Sequence, residues 1–314
     1  MSINIDLRAA ATLLYRQNDI LIIMHKNPDG DTLGSGYALC AALRKMGKRA
    51  NAQCDSQISK RYNYITDSIP DMEFEPSFIV AVDVADENLV GDRFKGKIIN
   101  LCIDHHASNS GFAVNLCCDG EAASCAELIA QIIDLLEIEM DVHMAACIYT
   151  GITTDTGCFR YSNTTSDCMR MAARMIDVGI DYAQLNRVLF EIKTRGRVEL
   201  EQLAMSGMEY AHGGKIAIMT ITQDMLTFTR VDIADIEGIA SMPRNIDGVE
   251  AGVTLREMKN GNFKVSLRTV TLDATSICAK FGGGGHKRAA GFECSGTQFD
   301  IKVAIVQEIE KVFK

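Results

Sequence analysis

Short apolar runs of strand length fall at residues 19–24, 78–84 and 98–103, and apolar positions recur at helical spacing over 31–46, 122–136, 142–153 and 166–178. This alternation predicts βαβ units, and hence a mostly parallel sheet with helices on both faces. In such sheets ligands gather at the loops that follow the carboxyl ends of the strands. From about residue 191 the pattern changes. One charged helix is expected over 195–210, then strands at 215–222, 249–256 and 263–269 and helices at 274–280 and 301–313. The expected fold is therefore α/β, with a domain over 1–190, a connecting helix or linker over 191–212 and a smaller α/β domain over 213–314. An active-site cleft is expected between the two domains.

Composition narrows the class. With 47% hydrophobic and 23% charged residues and only 4 Pro in 314 residues, the chain is that of a globular protein. Thirty-two basic against 41 acidic residues leave a net charge of −9, which argues against coating long duplex nucleic acid but leaves room for a short anion in a locally basic pocket. The amino terminus has no signal-peptide pattern and no apolar run is long enough to span a bilayer, so a cytoplasmic location without membrane attachment is expected. The 11 cysteines are odd in number, scattered through apolar stretches and without a C-x-x-C pair, so they read as reduced core residues.

Candidate chemistry lies where the strands end. After the first run comes His25-Lys-Asn-Pro-Asp29-Gly-Asp31, where Pro28 and Gly30 impose a tight loop on which His25, Asp29 and Asp31 converge. Asp83 ends the second run, and a carboxylate there is costly unless charge or hydrogen bonds meet it. The third run is followed by Asp104-His105-His106, in which adjacent imidazoles face different ways and Asp104 is placed to orient one of them. The helix over 142–153 leads into Asp155-Thr-Gly157-Cys-Phe-Arg160, where Arg160 offers a planar donor for phosphate. Taken singly, each cluster also reads as a cap or turn. Together, His25, Asp29, Asp31, Asp83, His105 and Asp155 provide two imidazoles and four carboxylates without a thiolate. That set suits two divalent ions, Mn²⁺ or Mg²⁺ before Zn²⁺, with Asp83 as the bridge. Two such ions ~3.5–4 Å apart polarise a phosphoryl group and generate hydroxide for in-line attack.

In this order the motifs resemble those of the DHH phosphoesterase superfamily, which includes RecJ-like exonucleases, family II inorganic pyrophosphatases and, most similar here, the bacterial nano-RNase (oligoribonuclease)/pAp phosphatase group. The resemblance implies one metal held by His25, Asp29 and Asp83 and a second by Asp31, Asp83, His105 and Asp155. It also implies that His106 contacts the scissile phosphate or assists the leaving group. A fifth motif, Phe281-Gly282-Gly283-Gly284-Gly285-His286-Lys287-Arg288-Ala-Ala-Gly291, has glycines whose N–H groups could turn toward an anion, with basic residues beside the start of an expected helix. It resembles the nucleotide-gripping loop of the DHH-associated carboxyl-terminal domain, and Arg268 matches that domain's strand arginine. The resemblance covers about residues 19–291, with Cys158 where a small residue is usual.

What the resemblance implies is metal-dependent hydrolysis of short single-stranded RNA of ~2–5 units to mononucleotides, and of pAp (3′-phosphoadenosine 5′-phosphate) to AMP and phosphate, in a cleft that sets substrate length. A cyclic di-AMP/pApA phosphodiesterase is the alternative. A catalytically silent nucleotide sensor is disfavoured because all six ligand candidates are present. An aromatic content of 6% and no Trp count against a long stacking channel, and homodimer formation is left open. His143 and His212 read as core or surface residues, the methionines over 169–175 as core packing, and the acidic stretch 232–237 as a solvated helix face.

Overall fold

The computed structural model describes residues 2–236 and 238–313, which form two compact units, 1–192 and 193–314. The first unit begins with β1 (Ile3–Asn4), α1 (Leu7–Arg16), β2 (Ile20–Ile23), α2 (Gly30–Lys45) and β3 (Ala50–Gln53). It continues through α3 (Asn63–Thr66), β4 (Phe78–Val82), β5 (Leu101–Asp104) and β6 (Asn115–Cys118) to α4 (Cys125–Leu135), α5 (Val142–Asp155), α6 (Ser166–Asp177) and α7 (Tyr182–Asn186). Its six strands lie in the order β1-β6-β5-β4-β2-β3, and every pairing is parallel. After β2 the chain crosses to β3 on one side, whereas β4 leads to β5 on the other. The neighbours β2 and β4 therefore flank a switch point, where loops diverge and leave a crevice.

Period-two alternation divides the sheet between two cores. Ile20, Ile22, Val80, Val82, Leu101 and Ile103 face the helices and pack with Leu33, Leu39, Ile129 and Ile148. Leu21, Ile23, Ala81 and Cys102 face the other way, against Val90, Phe94 and Ala113. The expectation of helices on both faces is corrected here: among the described residues, the second core is built without an α-helix. Its cover is the β4–β5 connection, which carries two single 3₁₀ turns (Glu87–Leu89 and Asp92–Phe94) and buries Val90 and Phe94 in their place.

The second unit starts with α8 (Arg195–Ser206) and continues with β7 (Glu209–Ala211), β8 (Ile216–Ile221), α9 (Gln223–Thr229), β9 (Ala251–Glu257) and β10 (Phe263–Thr269). It ends with α10 (Ala274–Cys278), β11 (Gly284–His286), β12 (Ala289–Cys294) and α11 (Gln298–Glu310). The strand order is β11-β12-β10-β9-β8-β7, antiparallel except for β8 with β9. Residues of α10 and α11, among them Ile277, Ile301 and Ile305, cover one face with Val253 and Val265. Leu200 and Ala204 of α8 pack on Met219 and Ile221 of the other face.

The helix expected over 195–210 stops at Ser206, and Glu209–Ala211 pairs as an edge strand with β8. The acidic stretch forms one 3₁₀ turn, Ile233–Asp235, instead of a helix face, and Glu237 lies outside the described residues. Of the methionines, Met175 is buried and Met171 packs on the core, while Met169 is exposed. Among the described residues no helix is long and apolar enough to cross a membrane.

Candidate metal centre

The loops after β2, β4 and β5 and the last turn of α5 bring six side chains to the switch point. Asp29 is the N-cap of α2, its Oδ1 accepting from the N–H groups of Asp31 (3.1 Å) and Thr32 (3.0 Å). Asp31 follows in the first turn and is buried. Its Oδ2 accepts from Cys125 N–H (2.7 Å) and its Oδ1 from Ala126 N–H (2.9 Å), both at the start of α4, with Ser35 Oγ also on Oδ1 (3.1 Å). The positive end of α4 thus faces this carboxylate. Gly151 of α5 lets the elements close, since a Cβ there would lie 2.5 Å from Ala126 Cβ and 2.6 Å from Asp31 Oδ1.

Asp83 leaves β4 in the left-handed region (φ 57°), a conformation that Asp tolerates better than most side chains. Its Oδ2 accepts from Thr32 Oγ1 at 2.6 Å, while its Oδ1 is buried without a hydrogen-bond partner. His105 is 5% exposed. Its Nδ1 lies 3.3 Å from Ala122 O, so the proton belongs on Nδ1 and Nε2 is left to coordinate. That Nε2 stands 3.6 Å from Asp83 Oδ1, 3.6 Å from Asp155 Oδ2 and 3.8 Å from Asp31 Oδ2. His25 Nε2 lies 4.0 Å from Asp83 Oδ2. These gaps are too long for good hydrogen bonds, yet they are the separations of ligands around a common ion at ~2.0–2.2 Å from each.

Two triads, His25/Asp29/Asp83 and Asp31/Asp83/His105, place one donor atom of each member within 4.8 Å of the others, and Asp83 belongs to both. Asp83, Asp104 and His106 meet the same criterion, but both Asp104 oxygens are already engaged. Its Oδ1 accepts from His105 N–H (2.8 Å) and His106 Nδ1 (2.7 Å), and its Oδ2 from Asn109 Nδ2 (2.6 Å).

The electrostatics point the same way. Burial pushes Asp83 well above the ordinary carboxylate range, and Asp31, Asp29 and Asp104 push it further. Asp155 is raised well above that range by burial and by Asp31 and Asp29. Asp31 is raised mainly by burial, against the pull of His105. Burial also acts on Asp29, but His25, the Thr32 donors and His106 outweigh it and hold Asp29 low. Asp104 is likewise held low, with His106 and Asn109 outweighing its burial, and the bond to Asp104 raises His106 despite desolvation. Four carboxylates packed this closely carry their full charge only with cations among them. The orphaned Asp83 Oδ1, the shared Asp83 and the oxygen-and-imidazole donor set therefore fit two divalent ions.

The other expected residues are held in their own ways. Arg160 lies beyond Asp155 in a turn where Gly157, Cys158 and Phe159 all have positive φ, and its Nε donates to Gly157 O at 2.6 Å. In the second unit the glycine motif is a β-hairpin that runs on into β12, and the next helix in the chain, α11, starts only at Gln298. Strands β11 and β12 pair from Gly284↔Gly291 to His286↔Ala289, with Lys287 and Arg288 at the tip. The expected N–H cradle is corrected at Gly283, whose N–H closes α10 on Cys278 O (3.0 Å); a Cβ there would meet Gly291 O at 2.2 Å. Gly285 has φ 139°, whereas at Gly284 a side chain would meet open space. His286 and Lys287 are exposed. Arg288 donates to Leu272 O (2.7 Å), and Arg268 of β10 to Leu267 O (3.1 Å) and Ala290 O (3.5 Å). His143 faces Ile65 O (2.9 Å) and His212 stacks on Phe313, so both play structural parts.

Sequence reading missed Thr32, Ser35, Asn109 and the α4 amides. The first two were detectable as hydroxyls one and four positions after Asp31 on the same helix, and Asn109 as an amide five positions after Asp104, whereas the α4 amides depend on contacts across the fold.

Comparison with known proteins agrees with this geometry. Residues 19–152 match the N-terminal domain of the DHH family and residues 213–314 match the DHHA1 domain. A Thermus thermophilus protein named bifunctional oligoribonuclease and PAP phosphatase NrnA is 32% identical over 299 residues, covering 93% of this chain and 89% of that protein. The crystal structure of an exopolyphosphatase-related protein from Bacteroides fragilis superposes with a TM-score of 0.86 at 24% identity, over 97% of this chain and 95% of that one. RecJ from Thermus thermophilus, solved in complex with Mn²⁺, shares the fold at a TM-score of 0.60 and 13% identity, over 98% of this chain and 55% of RecJ. With its aspartates and histidines gathered at one switch point and both domain matches in order, the chain belongs to the DHH phosphoesterase family.

Proposed function

We propose that this protein hydrolyses short oligoribonucleotides of about 2–5 units to mononucleotides, and pAp to AMP and phosphate, using two divalent ions, Mn²⁺ in the first instance. The observation that carries the reading is Asp83, a member of both triads with one buried oxygen lacking a hydrogen-bond partner. The 32% identical relative named for both activities supports the choice of substrates. His25, Asp29 and Asp83 hold one ion, and Asp31, Asp83, His105 and Asp155 hold the other. When bound, such a pair lowers the pKa of water and polarises the phosphoryl group.

The chain's own groups do the rest. Water gives up a proton as it adds to phosphorus, the bond to the leaving oxygen breaks, and the protonated His106 ring gives its Nε2 proton to that oxygen, to be reprotonated by the proton the water has released. Asp104 holds the His106 ring through Nδ1. Arg160 offers donors to the phosphate, and Arg268, His286, Lys287 and Arg288, with the backbone of Gly284 and Gly285, bind the rest of the nucleotide.

The test is a competition with Mn²⁺ among equimolar pAp, pApA, a five-nucleotide RNA, cyclic di-AMP and pyrophosphate, with products resolved by chromatography. Preferential loss of the RNA, pApA and pAp is expected. Faster loss of cyclic di-AMP would move the function to second-messenger turnover, and silence on all five with intact metal binding would indicate a sensor.

A further inference from the structure

We propose that Asn109 is a positioning residue which, through Asp104, determines the His106 ring nitrogen presented to substrate; the inference rests on the functional reading above. The loop after β5 folds back so that Asn109 N–H donates to His106 O at 3.0 Å. Its side chain then reaches Asp104 Oδ2 at 2.6 Å and Val84 O at 3.0 Å through Nδ2, with Cys102 Sγ farther off at 3.6 Å, while its Oδ1 accepts from Gly111 N–H at 2.9 Å. The amide orientation follows from its partners: only the NH₂ end can face two acceptors, and only the oxygen can face a backbone N–H.

Asp104 is 0% exposed, so an unmet oxygen would be costly. Asn109 satisfies Oδ2, and the carboxylate is thereby locked with Oδ1 toward His105 N–H and His106 Nδ1. A carboxylate that only accepts keeps a proton on His106 Nδ1 whether the ring is neutral or protonated, so the proton that the ring gains and gives up is the one on Nε2, the nitrogen assigned to the leaving group. Because Val84 follows Asp83, the same amide also ties the loop carrying Asp83 to the loop carrying the two histidines. Asn109 therefore holds the ring in one tautomer without itself touching substrate or ion.

Asn109→Asp is the discriminating variant. It keeps an oxygen for Gly111 N–H, and with it the turn, but removes both donors; Asn109→Ala removes everything. Nitrogen-15 correlation spectra of the metal-free full chain, recorded at a pH where the ring is neutral, report the His106 tautomer, and Mn²⁺ titration reports the metal site. The wild type is expected to show the Nδ1–H form, and both variants a mixture. In both, kcat on pAp should fall about 10–100-fold, while KM and Mn²⁺ affinity stay within about twofold. An unchanged tautomer with unchanged kcat in Asn109→Asp would overturn the proposal. So would a loss of Mn²⁺ affinity equal to the loss of kcat in both variants, since Asn109 would then merely hold the loops that carry the ligands. Should the wild type turn over neither pAp nor short RNA, the functional reading fails, and the tautomer spectra still decide the role of Asn109.

Discussion

At the scale of single residues, the centre depends on how each carboxylate oxygen is spent. Thr32 Oγ1 lies 2.6 Å from Asp83 Oδ2 and 3.0 Å from Asp29 Oδ1, but its single proton serves one bond at a time. Given to Asp83, it fixes the carboxylate and leaves Oδ1 for ligation. Thr32→Val keeps the shape and loses the hydroxyl, so Mn²⁺ affinity measured by calorimetry should drop about 10–100-fold, whereas Thr32→Ser should stay near wild type. Equal affinities for Val and Ser would remove the hydroxyl from the account. Asp83→Ala takes a donor from both triads, and turnover should disappear while the circular dichroism spectrum stays native. Retention of more than about a few per cent of activity would contradict the bridging role. Asp83 itself was legible in the sequence as a carboxylate ending an apolar run. Thr32 was not singled out, because a hydroxyl near a helix start is ordinarily a cap, and only the approach of the β4 loop gives it a second carboxylate to serve.

Among the elements, the decisive contact is the convergence of α2, α4 and α5. Gly151 stands where a Cβ would press on both Ala126 and the Asp31 carboxylate. Gly151→Ala should therefore push Asp31 off the α4 amides, costing about 1–3 kcal/mol of stability by overpacking together with a loss of Mn²⁺ affinity. Denaturant unfolding and metal titration check the two halves, and a variant with wild-type values for both would show that α4 yields without disturbing Asp31. Element positions were largely readable. Helices α2, α4, α5 and α6 start and end within three residues of their apolar periodicity, and the three apolar runs became β2, β4 and β5. Short, weakly patterned strands were not: β3 and β6 were missed because ANAQ and NLCC show little alternation and are held by parallel neighbours instead, whereas α1, also missed, was legible in its apolar spacing and its Asp6 cap. The glycine motif was misjudged for a similar reason, since a hairpin built on Gly284–His286 owes its existence to β12.

For the whole molecule, the centre makes stability depend on pH and metal together. Asp83, Asp155 and Asp31 are raised, so the folded, metal-free chain keeps protons that the unfolded chain has released. Stability then falls as pH rises from the ordinary aspartate value of about 3.9 toward the raised values. His106, also raised, adds the same sign above about 6.5. Asp29 and Asp104 are lowered and act oppositely, but only below the ordinary aspartate value, so they do not offset this slope. Chelator-treated protein should melt at lower temperature as pH is raised between about 5 and 8, more steeply than an Asp83→Asn variant. Saturating Mn²⁺ should flatten the slope, and at about 100 times its dissociation constant should add about 2.7 kcal/mol. A metal-free melting temperature that climbs with pH more steeply than that of the variant would contradict the assignment.

The sequence by itself determined the βαβ alternation of the first unit, the ends of strands at which carboxylates and imidazoles fall, and the order of five motifs. These follow from local periodicity and from the cost of charge beside an apolar run. Tertiary structure alone decided that β2 and β4 are neighbours at a switch point, that among the described residues one sheet face is covered without an α-helix, and that Thr32 and the α4 amides satisfy Asp83 and Asp31. Strand order and hydrogen-bond partnership join residues as distant in sequence as Ile3 and Asn115, and Ala126 to Asp31 across 95 positions. No local pattern encodes such a pairing, because the partner's identity is settled only when the chain has packed.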